Sequence, residues 1–361
     1  MAAIKNSSDV SIEFTPWTDG GKFRIVRFQA REQLGGEMPK GEMELFSDGT
    51  NEALQMVTGE NTGNVKIQDE KNSGLSYGFG IYITYREYFG NTLKIKFIIT
   101  EDIEFYTTRR NSLAKGGISG IIKSTFPGPS DIRIKPGGID DENAIYYQMC
   151  ETNYEYNKRL CYSYKPNSIF AYGFSGLLLK DLCGEFDHWG NKEPKAELES
   201  NRMTIHSTTY NLMFSEKVRH SPYDTWGGHT EVYDCTTSGN YKEVESKNAK
   251  VMMDYKNYTE VGNSYTGHMY NLWKNTRLME NPGYSFFEGT LPDIPHYTLG
   301  DVLIYQRAEQ ITQNESLPFK NFLVFANELF YTIDGTKETD KRGLKFSWTT
   351  YFYGIQNYGW A

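Results

Sequence analysis

Cysteine is scarce in this sequence, with four among 361 residues, and six histidines are scattered along it. No two cysteines have the Cys-x-x-Cys spacing of zinc or redox sites, and no disulfide framework is apparent. The pattern therefore predicts no structural metal and no cofactor, and it favours free buried thiols in a protein made in the cytoplasm. The four cysteines are Cys150, Cys161, Cys183 and Cys235.

Long apolar runs and an excess of basic residues are also absent. The N-terminal residues lack the apolar core of a secretory signal, and no run of about 18 apolar residues occurs, so we expect no membrane span. The net charge is −8 and the sequence pI is about 5.4, which argues against a protein that grips nucleic acid through a basic surface. The same acidity is compatible with a passage through which DNA slides without adhering.

Aromatic residues, in contrast, make up 15% of the chain, with 27 tyrosines and 21 phenylalanines, and they suit the half-buried faces of β-sheets. Residues 1–110 predict a first β-barrel, because strand-like segments alternate with turn-rich stretches. In the last of these segments Leu93, Ile95, Phe97 and Ile99 share one parity, as in a sheet with one wet face. The predicted strands are Val10–Thr15, Lys22–Gln29, Gly41–Phe46, Asn64–Asp69, Tyr77–Tyr85 and Thr92–Tyr106.

Residues 111–200 have a different texture and predict a mixed α/β module. Arg110–Ser124 is predicted as a short helix broken by Gly116 and Gly117. These glycines lack the spacing of a phosphate-binding loop, so we expect a hinge or loop there. Asp131–Pro136 is predicted as a short strand.

Residues 201–361 return to β structure and predict a second β-barrel, split by a polar insertion at about 240–290. A tight turn at Leu299–Val302 leads into one of its strands. Four aromatic residues near the end are predicted to lie either in the barrel core or at a contact surface: Trp348, Tyr351, Tyr353 and Tyr358. The predicted strands are Met203–Phe214, Val302–Ala308, Phe319–Ile333, Gly343–Tyr351 and Tyr353–Tyr358, with a helix at Tyr265–Arg277.

Several independent signals coincide at Gln148–Asp181. Thr152 and Glu155 have the spacing of a capping box, which satisfies two amide donors at a helix start. Tyr156, Leu160 and Tyr164 then form one stripe at helical spacing, and Pro166 ends the helix. Glu155 and Arg159 are four residues apart in the favourable order, which predicts a salt bridge between them. A strand is predicted at Ser168–Phe174.

This segment resembles a pattern found in the tail-hub proteins of bacteriophages, the late control D family, and in the hub part of the VgrG spike protein of type VI secretion. The pattern is Gln-x-x-Glu-Thr-Asp-aromatic-x-aromatic-x-x-Arg-Leu, and the sequence matches it without insertion, with Asn153 where Asp is usual. The matching residues are Gln148, Glu151, Thr152, Tyr154, Tyr156, Arg159 and Leu160. The resemblance implies that they are a structural motif, with no catalytic residue among them.

The resemblance also implies a fold and a role. The fold is mainly β, with two tube-type β-barrel domains flanking a mixed α/β insertion. The role is that of a non-enzymatic structural baseplate hub in a phage tail or contractile injection machine, assembled in the host cytoplasm into the virion. Such a hub is a homotrimer that adapts a hexameric tail tube ring to a trimeric spike or central fibre, with a lumen through which DNA or effectors pass.

Two clusters offer alternative chemistry. Glu185 and Asp187, beside His188 and Trp189, resemble a glycosidase carboxylate pair, although the segment is also typical of a solvated loop. A carbohydrate-active or receptor-binding virion protein is therefore the alternative function, with a stand-alone jelly-roll virion protein as a third. The other cluster matches no compact metal-ligand spacing and favours a loop with incidental ligands. It comprises His220, Asp224, His229, Asp234 and Cys235.

Overall fold

The computed structural model describes most of the first half of the chain and shorter stretches of the second. The described residues are 10–15, 23–35, 38–47, 61–69, 75–126, 130–133, 143–164, 168–181, 204–206, 229–233, 241–245, 285–304, 321–333 and 344–355. Within these ranges the protein is mainly β, with few helices, as its aromatic composition predicts. No described helix has the length and apolar character needed to cross a bilayer.

The strands are numbered in chain order. They are β1 (Val10–Thr15), β2 (Phe23–Gln33), β3 (Lys40–Ser47), β4 (Thr62–Asp69), β5 (Ser76–Phe89), β6 (Thr92–Ile99), β7 (Arg109–Lys115), β8 (Ser130–Arg133), β9 (Ile145–Thr152), β10 (Ser168–Gly173), β11 (Gly176–Asp181), β12 (Thr204–His206), β13 (His229–Tyr233), β14 (Tyr241–Glu245), β15 (Ser285–Leu291), β16 (Val302–Ile304), β17 (Asn321–Ile333) and β18 (Leu344–Ile355). The helices are α1 (Glu104–Thr107), α2 (Ile118–Thr125) and α3 (Asn153–Tyr164).

Eleven strands form one strongly curled antiparallel sheet, in the order β1-β4-β5-β6-β3-β2-β17-β18-β15-β12, with β16 paired to β17. The first six strands bend so that β1 also approaches β2. The earlier and later strands meet in the ladder between β2 and β17, where Arg27 faces Thr332 and Gln33 faces Ala326. In the described residues these two sets form one continuous sheet, and two separate barrels are not resolved.

Alternation of apolar and polar residues explains which face of this sheet is buried. On β6, the four residues of one parity, Leu93, Ile95, Phe97 and Ile99, are at most 1% exposed, which confirms the prediction for this strand. Phe97 stacks on Phe28 of β2 across the interior, with ring centroids 5.7 Å apart. Burial of such alternating faces on one side supplies the main driving force for the curl.

The α/β module lies between these strand sets in sequence. Strands β10, β11 and β8 form a three-stranded sheet, and β7 pairs with β9 in a two-stranded ribbon. Helix α3 packs against both β9 and β10. The sequence predicts one apolar stripe on α3, but nearly every described side chain of the helix other than Glu155 and Lys158 is buried, because sheet, ribbon and the other two helices surround it.

Several predicted elements differ from the observed ones. Strand β6 ends at Ile99 rather than Tyr106, because a turn at Thr100 and Asp102 starts α1, with the Glu104 amide donating to Asp102 Oδ1 at 2.9 Å. The predicted helix at Arg110–Ser124 was wrong in its first half, where β7 pairs with β9; α2 begins only after Gly116, whose φ is 129°.

Other differences concern the later strands. The two strands predicted on either side of Phe352 are one strand, β18, because β15 and β17 pair with it on both sides past that point. Trp348 is fully buried, so it belongs to the core rather than to a contact surface. The predicted helix at Tyr265–Arg277, Tyr358, and the predicted glycosidase pair at Glu185 and Asp187 lie outside the described residues.

Candidate functional site

The capping box predicted at the start of α3 is present. The Glu155 amide donates to Thr152 Oγ1 at 3.2 Å, and the Thr152 amide donates to Glu155 Oε2 at 2.9 Å. Two amides that the helix itself cannot satisfy are thereby paired. This bond pair sets the angle at which the chain turns from β9 into α3.

Replacing Thr152 with alanine should lower the free energy of unfolding by about 1 kcal/mol, because the Glu155 amide loses its acceptor. Urea or thermal unfolding of the two proteins measures the difference. Thr152→Ser keeps the hydroxyl, so its free energy of unfolding should stay close to that of the unsubstituted protein. Equal stability of the alanine variant and the unsubstituted protein would show that the cap contributes nothing.

Arg159 does not pair with Glu155, so the predicted salt bridge was wrong. Its Nε and Nη2 donate to the two carboxylate oxygens of Glu151 at 2.9 and 3.0 Å, and Nη2 also donates to the Tyr147 carbonyl at 2.6 Å. Both side chains are about nine-tenths buried. Glu155 is turned back to the cap and reaches the exposed Arg109 at 3.4 Å instead.

The remaining motif residues surround this ion pair. Gln148 Nε2 donates to the Glu151 carbonyl at 3.0 Å and to Asn153 Oδ1 at 3.1 Å. Asn153 thus supplies the acceptor oxygen that an aspartate would also offer at this position. Tyr154, Tyr156 and Leu160 are buried, and Tyr154 packs on the rings of α1 and β10. The structure therefore brings all the motif residues together at the junction of β9 and α3.

A second buried network was missed from the sequence, and it centres on Glu32 of β2. Glu32 Oε1 accepts a hydrogen bond from Asn327 Nδ2 at 2.6 Å, and Oε2 accepts one from the Phe174 amide at 2.6 Å. Phe174 lies in the turn between β10 and β11, and Asn327 lies on β17. One carboxylate therefore joins the early strands, the α/β module and the late strands.

Asn327 extends this network into the late strands. Its Oδ1 accepts from Trp348 Nε1 at 3.1 Å and from Thr350 Oγ1 at 2.8 Å, and Tyr297 donates to that hydroxyl at 2.9 Å. Tyr77 of β5 stacks on Trp348 from the other side of the junction, with centroids 5.3 Å apart. Hydrogen bonds and ring contacts thus both connect the early strands with the late strands.

Two glycines let the backbones approach at this junction. A Cβ on Gly173 would collide with Glu32 Oε2, so only glycine fits there. Gly300, with φ of 76°, makes the tight turn predicted at Leu299–Val302, and a Cβ on it would lie 2.5 Å from Leu178 of the module. The turn therefore brings the late strands directly against β11.

Burial, with a smaller contribution from the nearby charge of Asp301, raises the pKa of Glu32 from 4.5 to about 7, although the hydrogen bonds from Asn327 and Phe174 oppose the shift. No cation among the described residues offsets this burial. Near neutral pH the carboxyl is therefore divided between its charged and neutral forms.

Alternation along the strands is the sequence signal that could have identified Glu32 and Asn327, because each occupies a position whose side chain faces the buried side of the sheet. Glu32 follows Phe28 and Ala30 at alternate positions of β2, all of them buried. Asn327 precedes Leu329 and Tyr331 on β17 in the same way. A polar residue on the apolar parity of a strand must find a partner in the core, so it indicates a buried network.

A cleft of about 390 Å³ opens beside the junction. Its walls come from the start of β5, the turn between β10 and β11, and the segment before β16, with the exposed side chains of Glu101, Ser175 and His296 among its lining. In the described part of the chain no three metal-ligating side chains cluster together. Of the metal cluster considered above, only His229 falls in a described range, and its side chain is not described.

No family model and no curated protein matches the sequence. Among solved structures, the 43 kDa tail protein of prophage MuSo2 from Shewanella oneidensis superposes with a TM-score of 0.52 at 9% identity, over 96% of this chain and 97% of that one.

The chain has the fold of a bacteriophage tail protein. Two structures of the Francisella PdpA–VgrG complex, lidless and lidded, contain chains that also match this fold, each with a TM-score of 0.50 at 10% identity. The match covers 97% of this chain in both cases, but only 65% and 53% of those longer chains. The resemblance to tail proteins predicted from the motif at Gln148–Leu160 is thereby confirmed at the level of the fold. The mainly β character expected with it is also confirmed, whereas two separate barrel domains are not resolved in the described residues.

Proposed function

We propose that this protein is a structural baseplate hub of a phage tail or of a related contractile injection machine. The observation that carries the proposal is the match to the MuSo2 tail protein over nearly the full length of both chains. The role is non-enzymatic, and its place is the baseplate of the virion tail.

The proposed architecture is two tube-type β-barrels around an α/β module. Residues 1–110 form the first barrel, 111–200 the module, and 201–361 the second barrel with its insertion at about 240–290. The curl of the first six strands and the approach of β1 to β2 support the first barrel. In this proposal the ladder between β2 and β17 joins the two barrels.

In the proposed assembly the protein is a homotrimer, which lets this architecture match neighbours of different symmetry. Three chains with two barrels each present six similar units in a ring, which matches a hexameric tail tube, while the trimer matches a three-fold spike or central fibre. DNA or effectors pass through the central lumen without specific binding, which the net charge of −8 favours.

The two buried networks suit such a joint. In this proposal the Glu151–Arg159 pair and its neighbours fix α3 against β9, and Glu32 ties the module to both barrels. A part that connects rings of different symmetry has to keep its internal angles under load. Buried bonds with several partners restrict those angles more than apolar packing alone does.

Mass in solution tests the assembly. Size-exclusion chromatography with light scattering should give a species of three chains, each of 41.5 kDa. Co-purification with the tube protein of the same machine, and images of the assembled particle, then test its place. A chain that stays monomeric at high concentration would contradict the hub, and glycan binding or hydrolysis would favour the carbohydrate-active alternative.

A further inference from the structure

Strand β7 is an edge strand of seven residues, of which all but the partly buried Ala114 are exposed. It pairs with β9 on one side, and no described residue pairs with it on the other. Such an edge presents a row of backbone donors and acceptors that a further strand can satisfy. The partner that fits this edge is therefore an extended segment.

The outer face of the ribbon formed by β7 and β9 is apolar. The antiparallel register places Leu113 opposite Tyr147 and Lys115 opposite Ile145, with Met149 next on the same face. Leu113 is 58% exposed and Met149 48%. Exposed apolar side chains that cluster on one face indicate a contact surface.

The inner face holds the ribbon in place. Ser112 donates to Gln148 Oε1 at 2.9 Å, Gln148 is 3% exposed, and Tyr146 is 1% exposed. On the outer side, the Cys150 amide donates to Asn111 Oδ1 at 2.8 Å and fixes the start of the ribbon. The edge is thus already ordered, so a partner strand need not order it on binding.

Charge at the ends of β7 selects the chemistry of that partner. Arg109 and Arg110 begin the strand and Lys115 ends it, with no acidic residue between them, in a chain of net charge −8. The two arginines lie 3.4 and 3.3 Å from Glu155 and Glu104, in pairs whose side chains are 46–61% exposed. Exposed pairs of this kind contribute little, so these guanidinium groups remain accessible to further carboxylates.

We propose that β7 receives an extended segment of another protein, apolar at alternate positions and acidic at its ends. The segment adds to the sheet edge through backbone hydrogen bonds. Its apolar side chains pack on Leu113, and its carboxylates meet the cations at the two ends of β7. This inference does not depend on the hub function, because it rests on the exposed edge of β7 and the outer face of the ribbon rather than on the buried networks that support that proposal.

A pair of synthetic peptides tests the inference on the full chain. One alternates valine with threonine and carries glutamates at both ends; the other carries lysines instead. The acidic peptide should slow hydrogen exchange of the amides at 109–115 and bind with a Kd that rises with salt, and the lysine peptide should not.

Variants assign the contact. Leu113→Ser should weaken binding of the acidic peptide several-fold, as loss of a central apolar contact does. Lys115→Glu should weaken binding through charge alone, and it supplies the test if Leu113→Ser does not fold. Tyr88→Ser/Phe89→Ser removes side chains that are 41% and 86% exposed on β5, and should leave binding unchanged.

Three results would overturn the proposal. They are equal binding of the two peptides, no protection of the amides at 109–115, and unaltered binding in the folded Leu113→Ser variant. Protection at 109–115 that appears without peptide and grows with protein concentration would assign the edge to a second copy of the chain, and would also reject the acidic partner.

Discussion

Replacing Arg159 with methionine should lower the free energy of unfolding by about 3–5 kcal/mol, because it leaves the Glu151 carboxylate buried without its partner. The arginine makes two bonds to that carboxylate and one to the Tyr147 carbonyl, all in a nine-tenths buried setting. Urea unfolding at neutral pH measures the loss.

Arg109 provides the matched control. It is the same residue type, but its pair with Glu155 is 57% and 46% exposed. Arg109→Met should therefore cost about 1 kcal/mol or less. A double variant, Glu151→Met/Arg159→Met, should recover part of the loss, since no unpaired charge stays behind. Similar losses from Arg109→Met and Arg159→Met would show that burial of the pair has no energetic importance.

Stability should also fall as the pH rises, because of Glu32. Its pKa is about 7 in the folded protein against an ordinary value of 4.5, so the folded state holds the proton more tightly. The resulting stabilisation is fully present below about pH 4.5 and is lost as the pH rises through about 7. It amounts to on the order of 3 kcal/mol, because a tenfold change in proton affinity corresponds to about 1.4 kcal/mol.

Glu32→Gln isolates this contribution, since the other titrating groups are common to both proteins. The variant loses stability at low pH, because its amide presents a donor to the donors of Asn327 or Phe174. Between pH 4.5 and 7 the difference between the two proteins should narrow as the pH rises. Parallel pH profiles over that range would show that Glu32 does not titrate there.

The capped helix, the strand parities of β6 and the turn at Gly300 could all be predicted, because each depends on residues close in sequence. A capping box spans three residues, and a strand shows its buried side at every second one. For Arg159 the same reasoning gave the wrong partner, because the spacing of four residues on a helix predicts Glu155. The competing acceptor, Glu151, lies on the preceding strand, and only the fold of β9 against α3 brings it near.

The Glu32 network shows the same division over a longer range. Its members Glu32, Phe174 and Asn327 are far apart in the sequence, and no local pattern relates such distant positions. Alternation along β2 and β17 marks Glu32 and Asn327 as inward-facing, but it does not predict which residues they contact.

By itself, then, the sequence determined the local elements and the motif that identifies a tail-protein fold, since short-range sterics and hydrogen bonding decide them. The tertiary structure decided which buried charges pair, where β6 ends and β18 continues, and which edge stays open. Those outcomes depend on which groups lose water together, and that is settled only when distant segments pack.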